Sequence, residues 1–149
     1  MTESTNQDER FMRMALDEAR RAAQEDEVPI GAVIVAGGQV VAKAHNLTER
    51  LNDVTAHAEM QAITSAATAL GGKYLADCTL YVTVEPCLMC AGALAWAQIG
   101  RIVYGAPDAK RGFSLQAPAC LHPRTQLQSG LLATECAQLV TDFFRNKRH

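Results

Sequence analysis

The run Cys78-Thr79-Leu80-Tyr81-Val82-Thr83-Val84-Glu85-Pro86-Cys87-Leu88-Met89-Cys90 decides how the chain folds. Its first seven residues are a short, largely apolar stretch rich in β-branched side chains, the pattern of a buried strand. Proline is favoured in the first turn of a helix, so Pro86 predicts a helix over residues 87–97. A strand passing straight into a helix is a unit of layered α/β folds.

The rest of the chain supplies matching pieces on either side. Residues 8–25 are predicted to form an amphipathic helix, with Phe11, Met14, Ala15, Ala19, Ala22 and Ala23 at helical spacing. Asn6 and Glu9 resemble a capping box before it. Residues 30–36 read as a strand, Gly37-Gly38 as a hairpin turn and residues 40–45 as the antiparallel return. After a polar loop over 46–54, Thr55 is the expected cap of a helix over 57–70, which Gly71-Gly72 stops. Residues 101–106 read as a further short strand. Residues 107–129 read as loop with a short strand near 125–128, and residues 131–147 as a closing helix. This order implies the α/β class, a three-layer α/β/α sandwich around a mixed five-stranded sheet. At 149 residues the expectation is one domain, 1–149.

Composition narrows the function. Hydrophobic residues make up 48% and charged residues 20%, with a formal net charge of −2. That charge gives no general attraction to nucleic acid, so a polyanion must be met by a local patch. No apolar run is long enough to span a bilayer. Met1 to Arg10 is polar and acidic, unlike a signal peptide, so the expected location is the cytoplasm. The five cysteines form no regular framework, which suits a reducing compartment where paired cysteines bind metal or do chemistry. Cys78 and Cys136 read as core residues, and Cys120 carries no chemical context.

The chemistry lies in two stretches, Thr55-Ala56-His57-Ala58-Glu59 and Glu85-Pro86-Cys87-Leu88-Met89-Cys90. On a helix, Cys87 and Cys90 are three apart and share a face. The positive end of the helix favours their thiolates. With His57 they offer three protein ligands, and a catalytic zinc site keeps its fourth position for water. Glu59, two residues beyond His57, is placed to handle that water's protons. Taken alone, the Cys-x-x-Cys has a thioredoxin-like redox pair as its minor alternative, and the His-x-Glu is usually a capped helix start. The combination points to zinc.

His57-Ala58-Glu59 with Pro86-Cys87-x-x-Cys90 resembles the signature of the cytidine deaminase-like zinc deaminases. Val28-Pro29-Ile30-Gly31-Ala32-Val33 and residues 55–59, 79–93, 99–110 and 130–145 are similar to the bacterial tRNA-specific adenosine deaminase branch. The resemblance implies a cytidine deaminase-like fold and hydrolysis of the wobble adenosine of a tRNA anticodon loop to inosine and ammonia. It implies one Zn2+ per subunit on His57, Cys87 and Cys90, with Glu59 as proton shuttle. Asn46 matches the residue that hydrogen-bonds the target nucleoside. Val28, Pro29, Ile30, Ala58, Val84, Glu85 and Pro86 would wall the base, and Asp108 would meet an RNA sugar. Lys110, Arg111, Phe144, Arg145, Lys147 and Arg148 would contact RNA, with Phe144 available for stacking. A homodimer follows from the same resemblance.

Two departures leave other readings open. Pro107 stands where the family commonly has a basic residue, and residues 113–124 do not follow the family's loop. A deaminase of a free base, nucleoside or nucleotide (cytosine, cytidine or guanine) is the second reading. A non-catalytic, zinc-containing RNA-binding module is the third; Glu59 speaks against it, since holding zinc needs no carboxylate there.

Overall fold

A computed structural model describes residues 3–147. In chain order the elements are α1 (Glu3–Gln24), β1 (Gly31–Ala36), β2 (Gln39–His45), α2 (Ala58–Leu70), β3 (Cys78–Val84), α3 (Leu88–Trp96), β4 (Arg101–Ala106), α4 (Phe113–Gln116), β5 (Gln126–Ser129) and α5 (Ala133–Lys147). The five strands form one mixed sheet in the order β2-β1-β3-β4-β5. β1 runs antiparallel to β2 and β3, while β3, β4 and β5 are parallel.

Side chains alternate across a strand, and this alternation builds the layers. Val33, Val35, Tyr81 and Val103 pack on one face with Phe11, Met12 and Leu16 of α1 and Cys136 of α5. Ala32, Ile34, Leu80, Val82 and Ile102 pack on the other with Ala62 and Ala66 of α2 and Leu94 of α3. Each such large aliphatic side chain contributes about 1.5–3 kcal/mol when fully buried. Gly31 lets α1 come close, because a Cβ there would stand 2.0 Å from the Ala15 carbonyl oxygen. The register pairs Gly31 with His45 and Ala32 with Val82. The start of β1, the end of β2 and the ends of β3 and β4 therefore share one edge of the sheet, the edge where ligands of such folds sit.

Several boundaries differ from the sequence expectation. α1 already includes Asn6, so Asn6 and Glu9 are no capping box. α2 is capped at His57 and not at Thr55, whose amide and hydroxyl both donate to Asp53 at 2.8 and 2.7 Å. α3 has Cys87 as its cap, which leaves Pro86 outside the first turn. β5 lies one residue later than expected. α5 starts at Ala133, because Gly130 and Leu132 take positive φ values of 88° and 54° that break the helical path. The stretch read as loop holds α4, whose Phe113 is fully buried against the α2/α3 side of the core. Cys78 and Cys136 are buried as expected, and Cys120 is half-buried against the same core. Among the described residues, no helix is long and apolar enough to cross a membrane.

Candidate active site

Two helix N-termini meet at the ligand edge of the sheet. His57 and Cys87 occupy the caps of α2 and α3 in extended backbone conformations, and neither side chain makes a capping hydrogen bond. Serine, threonine, aspartate or asparagine at such positions is commonly worth about 1 kcal/mol to the helix. Both caps forgo that gain and turn their side chains towards each other. His57 Nδ1 lies 3.6 Å from Cys87 Sγ and 3.4 Å from Cys90 Sγ. All three ligand atoms fall within 4.8 Å of one another.

The donor set fits zinc. Zinc–sulfur and zinc–nitrogen bonds at a tetrahedral angle place the two ligand atoms roughly 3.5 Å apart, which is what the two His57 distances show. The titration pattern agrees. Cys87 is pulled down to about 4, first by a hydrogen bond from the Cys90 thiol and also by His57. Cys90 is pushed up because it donates to that thiolate and is buried. His57 is raised by its hydrogen bond to Cys87. Thiol and imidazole ligands of this kind bind a cation with release of their protons.

Glu59 lies in the first turn of α2 and is 3% exposed. Burial is the main reason its carboxyl is pushed up to about 7, and the negative charge of Cys87 adds to it. His57, Glu59 and Cys87 open onto a cavity of about 760 Å³. Val28, Ile30, Asn46, Ala58, Val84, Glu85 and Asp108 also line it, whereas Pro29 and Pro86 are buried outside the lining. Asn46 is 6% exposed; its amide reaches Thr48 Oγ1 at 3.4 Å, and its Oδ1 has no partner.

The expected RNA-facing residues divide. Lys110, Arg111 and Phe144 line the cavity. Arg145 lies on the exposed side of α5, 3.7 Å from Asp142, and Lys147 pairs with Asp26 at 2.6 Å. Arg148 falls outside the described residues. Asp108 accepts from the amides of Lys110 and Arg111 at 3.0 Å each and so closes their turn.

Five supporting residues escaped the sequence reading. Glu27, fully buried, accepts from the amides of Glu49 and Arg50 at 3.0 and 2.7 Å, pinning the loop after β2. Gln61 ties the two ends of that loop by donating to the carbonyls of His45 and Ala56. Ala137, Val140 and Thr141 of α5 complete the cavity wall. A carboxylate next to a helix end gives no sequence signal that it will be buried, whereas the α5 residues were findable from that helix's amphipathic pattern.

Comparison with known proteins agrees with this geometry. Residues 5–106 match the cytidine and deoxycytidylate deaminase zinc-binding region. The tRNA-specific adenosine deaminase of Agrobacterium fabrum is 49% identical, over 93% of this chain and 94% of its own. That of Bacillus subtilis is 45% identical, over 95% and 91%. A solved structure from work on A-to-I editing by tRNA:A34 deaminases at the wobble position of transfer RNA superposes with a TM-score of 0.81 at 48% identity. It covers 87% of this chain and 98% of its own. A guanine deaminase from Nitrosomonas europaea, 22% identical, shares the fold with a TM-score of 0.77 over 91% and 83% of the two chains. The chain belongs to the zinc-binding cytidine and deoxycytidylate deaminase family, in the cytidine deaminase-like fold of the tRNA-specific adenosine deaminases.

Proposed function

We propose that the protein hydrolyses the exocyclic amine of the wobble adenosine in a tRNA anticodon loop, giving inosine and ammonia. The observation that carries this reading is the His57, Cys87 and Cys90 cluster beside a buried Glu59, in a chain so similar to named tRNA-specific adenosine deaminases. His57 Nδ1 and the two sulfurs would hold one zinc per subunit. When bound, zinc supplies the Lewis acidity that brings the pKa of water towards about 7. Glu59 takes a proton from the attacking water and passes it to the purine ring nitrogen; it then carries the second proton, from the new hydroxyl, to the amine, whose bond to the ring carbon breaks as ammonia leaves. Adenosine and water in, inosine and ammonia out, balance with no other reactant.

The remaining residues bind and orient. Val28, Ile30, Ala58 and Val84 present apolar surface to the base, with Pro29, Glu85 and Pro86 shaping the backbone behind them. Asn46 Oδ1, a buried acceptor left over by the fold, takes a hydrogen from the target nucleoside. Asp108 faces the sugar next to the target. Lys110, Arg111, Arg145, Lys147 and Arg148 meet phosphates, and Phe144, exposed on α5, stacks on a splayed base. Residues 1–149 act as one domain in the cytoplasm, where its five free cysteines stay reduced. Two copies pair through α3, whose Leu88, Met89 and Trp96 are exposed and whose Gly92 faces open space.

The test is ammonia release from an anticodon stem-loop carrying the wobble adenosine, run beside adenosine, cytidine, cytosine and guanine, with and without a chelator. Turnover of the stem-loop that the chelator abolishes is expected. Turnover confined to the free compounds would replace this reading with the small-molecule deaminase.

A further inference from the structure

Glu85 is 4% exposed, directly follows β3 and precedes the ligand Cys87 by two residues. Its carboxylate is not free to act in the cavity. Oε1 accepts from the Asp108 amide at 3.1 Å, and Oε2 accepts from the Ser114 amide at 3.1 Å and the Ser114 hydroxyl at 2.6 Å. These partners lie 23 and 29 residues away, Asp108 near the start of the loop that follows β4 and Ser114 in the first turn of α4.

The loop is shaped to receive that carboxylate. Gly112 sits over it so closely that a Cβ would fall 2.4 Å from both the Glu85 carboxyl carbon and Oε1. Only glycine permits this approach. The two segments are also joined by a bridge between Cys87 and Gly112 and by the Phe113 amide donating to the Pro86 carbonyl at 3.0 Å. From Asp108 the order passes onward, since its own carboxylate fixes the amides of Lys110 and Arg111. Residues 107–111 form a continuous part of the cavity lining.

We infer that Glu85 is a positioning residue for polynucleotide substrate: through Asp108, Gly112 and Ser114 it holds residues 107–111 at the height where they meet the RNA strand on either side of the target base. This inference rests on the tRNA reading above. Glu85 touches neither the metal ligands' donor atoms nor the reacting carbon in this account; it acts through the loop. The consequence is a division of labour. The loop governs capture of the strand, while the His57, Glu59, Cys87 and Cys90 group governs the chemical step.

The test measures steady-state kinetics on the anticodon stem-loop, with zinc content, for wild type, Glu85→Gln and Gly112→Ala. Glutamine keeps the shape of Glu85 but turns an amide donor towards a backbone donor. Alanine at 112 pushes the loop off an unchanged Glu85. Both variants are expected to raise KM for the stem-loop at least tenfold, with kcat within threefold of wild type and one zinc retained per chain. Ser114→Ala, which keeps both backbone contacts, should show a smaller rise. Agreement between the two variants supports the loop as the cause, and if Glu85→Gln does not fold, Gly112→Ala decides alone. Unchanged KM in the folded variants overturns the inference, and so does a fall in kcat that tracks lost zinc, which would make Glu85 a support for Cys87. Wild-type protein that leaves the stem-loop untouched removes the substrate reading itself, and the inference with it.

Discussion

Two buried polar clusters lie at opposite ends of β4, and their difference separates structure from function. At the start of the strand, Arg101 donates to both oxygens of Asp8 at 2.9 and 2.7 Å, Tyr81 donates to the same carboxylate, and Arg101 also reaches Gln128. None of these groups is left without a partner. At the far end, Asn46 Oδ1 is buried with no partner, and Cys87, Cys90 and His57 gather three ligand atoms within 4.8 Å of one another. Folding leaves few buried polar atoms unsatisfied, so the end where it does so is the end where a ligand supplies what is missing.

This contrast breaks if the first cluster matters for turnover or the second for stability. Asp8→Asn removes the charge that Arg101 and Tyr81 address, and about 1–3 kcal/mol of stability should go with it at neutral pH. The Arg101 guanidinium and the Tyr81 hydroxyl hold the Asp8 carboxyl below its ordinary value of 3.8. A depressed carboxyl gives its full stabilisation above the unfolded pKa and loses it as pH falls below that value. Urea midpoints of wild type and Asp8→Asn should therefore differ at pH 7, begin to converge below about pH 3.8 and meet once the pH is below the lowered folded-state value, while deamination per folded molecule is unchanged. A gap that persists at low pH would contradict the assignment.

The smaller effect is expected at the other end. In the proposed role of Asn46, Asn46→Ala removes one hydrogen bond to the substrate, worth about 0.5–1.5 kcal/mol, so kcat/KM should fall about tenfold at most. Its thermal midpoint should stay level or rise, since the variant also deletes an unsatisfied acceptor. A lowered midpoint with unaltered kcat/KM would make Asn46 a turn residue.

The same contrast explains what was legible in the sequence. Spacing within one helix turn carried Cys87 and Cys90, and position relative to predicted strand and helix boundaries carried His57 and Glu59. Short, largely apolar runs at residues 78–84 and 101–106 carried the buried strands of the sheet. These are short-range signals, set by periodicity. Glu27, Gln61 and Glu85 work through hydrogen bonds to the amides or carbonyls of other segments, 22 and 23 residues apart for Glu27 and up to 29 for Glu85. No local pattern marks a glutamate that will be buried against distant backbone. Residues 113–116 were read as loop for a related reason, because the short helix there exists through the burial of Phe113 and the anchoring of Ser114 by Glu85. The caps went to His57 and Cys87 against their weak capping ability, which is the local rule giving way where chemistry needs the side chain.

The central claim is that three side chains hold the metal while a fourth, Glu59, only moves protons. Zinc content and inosine formation in the anticodon stem-loop, measured together on Glu59→Ala, test it most directly. One zinc per chain, as in wild type, is expected, with turnover reduced at least about a hundredfold, the lower end of what a positioned acid–base group supplies. Full turnover, or loss of zinc along with activity, would contradict it.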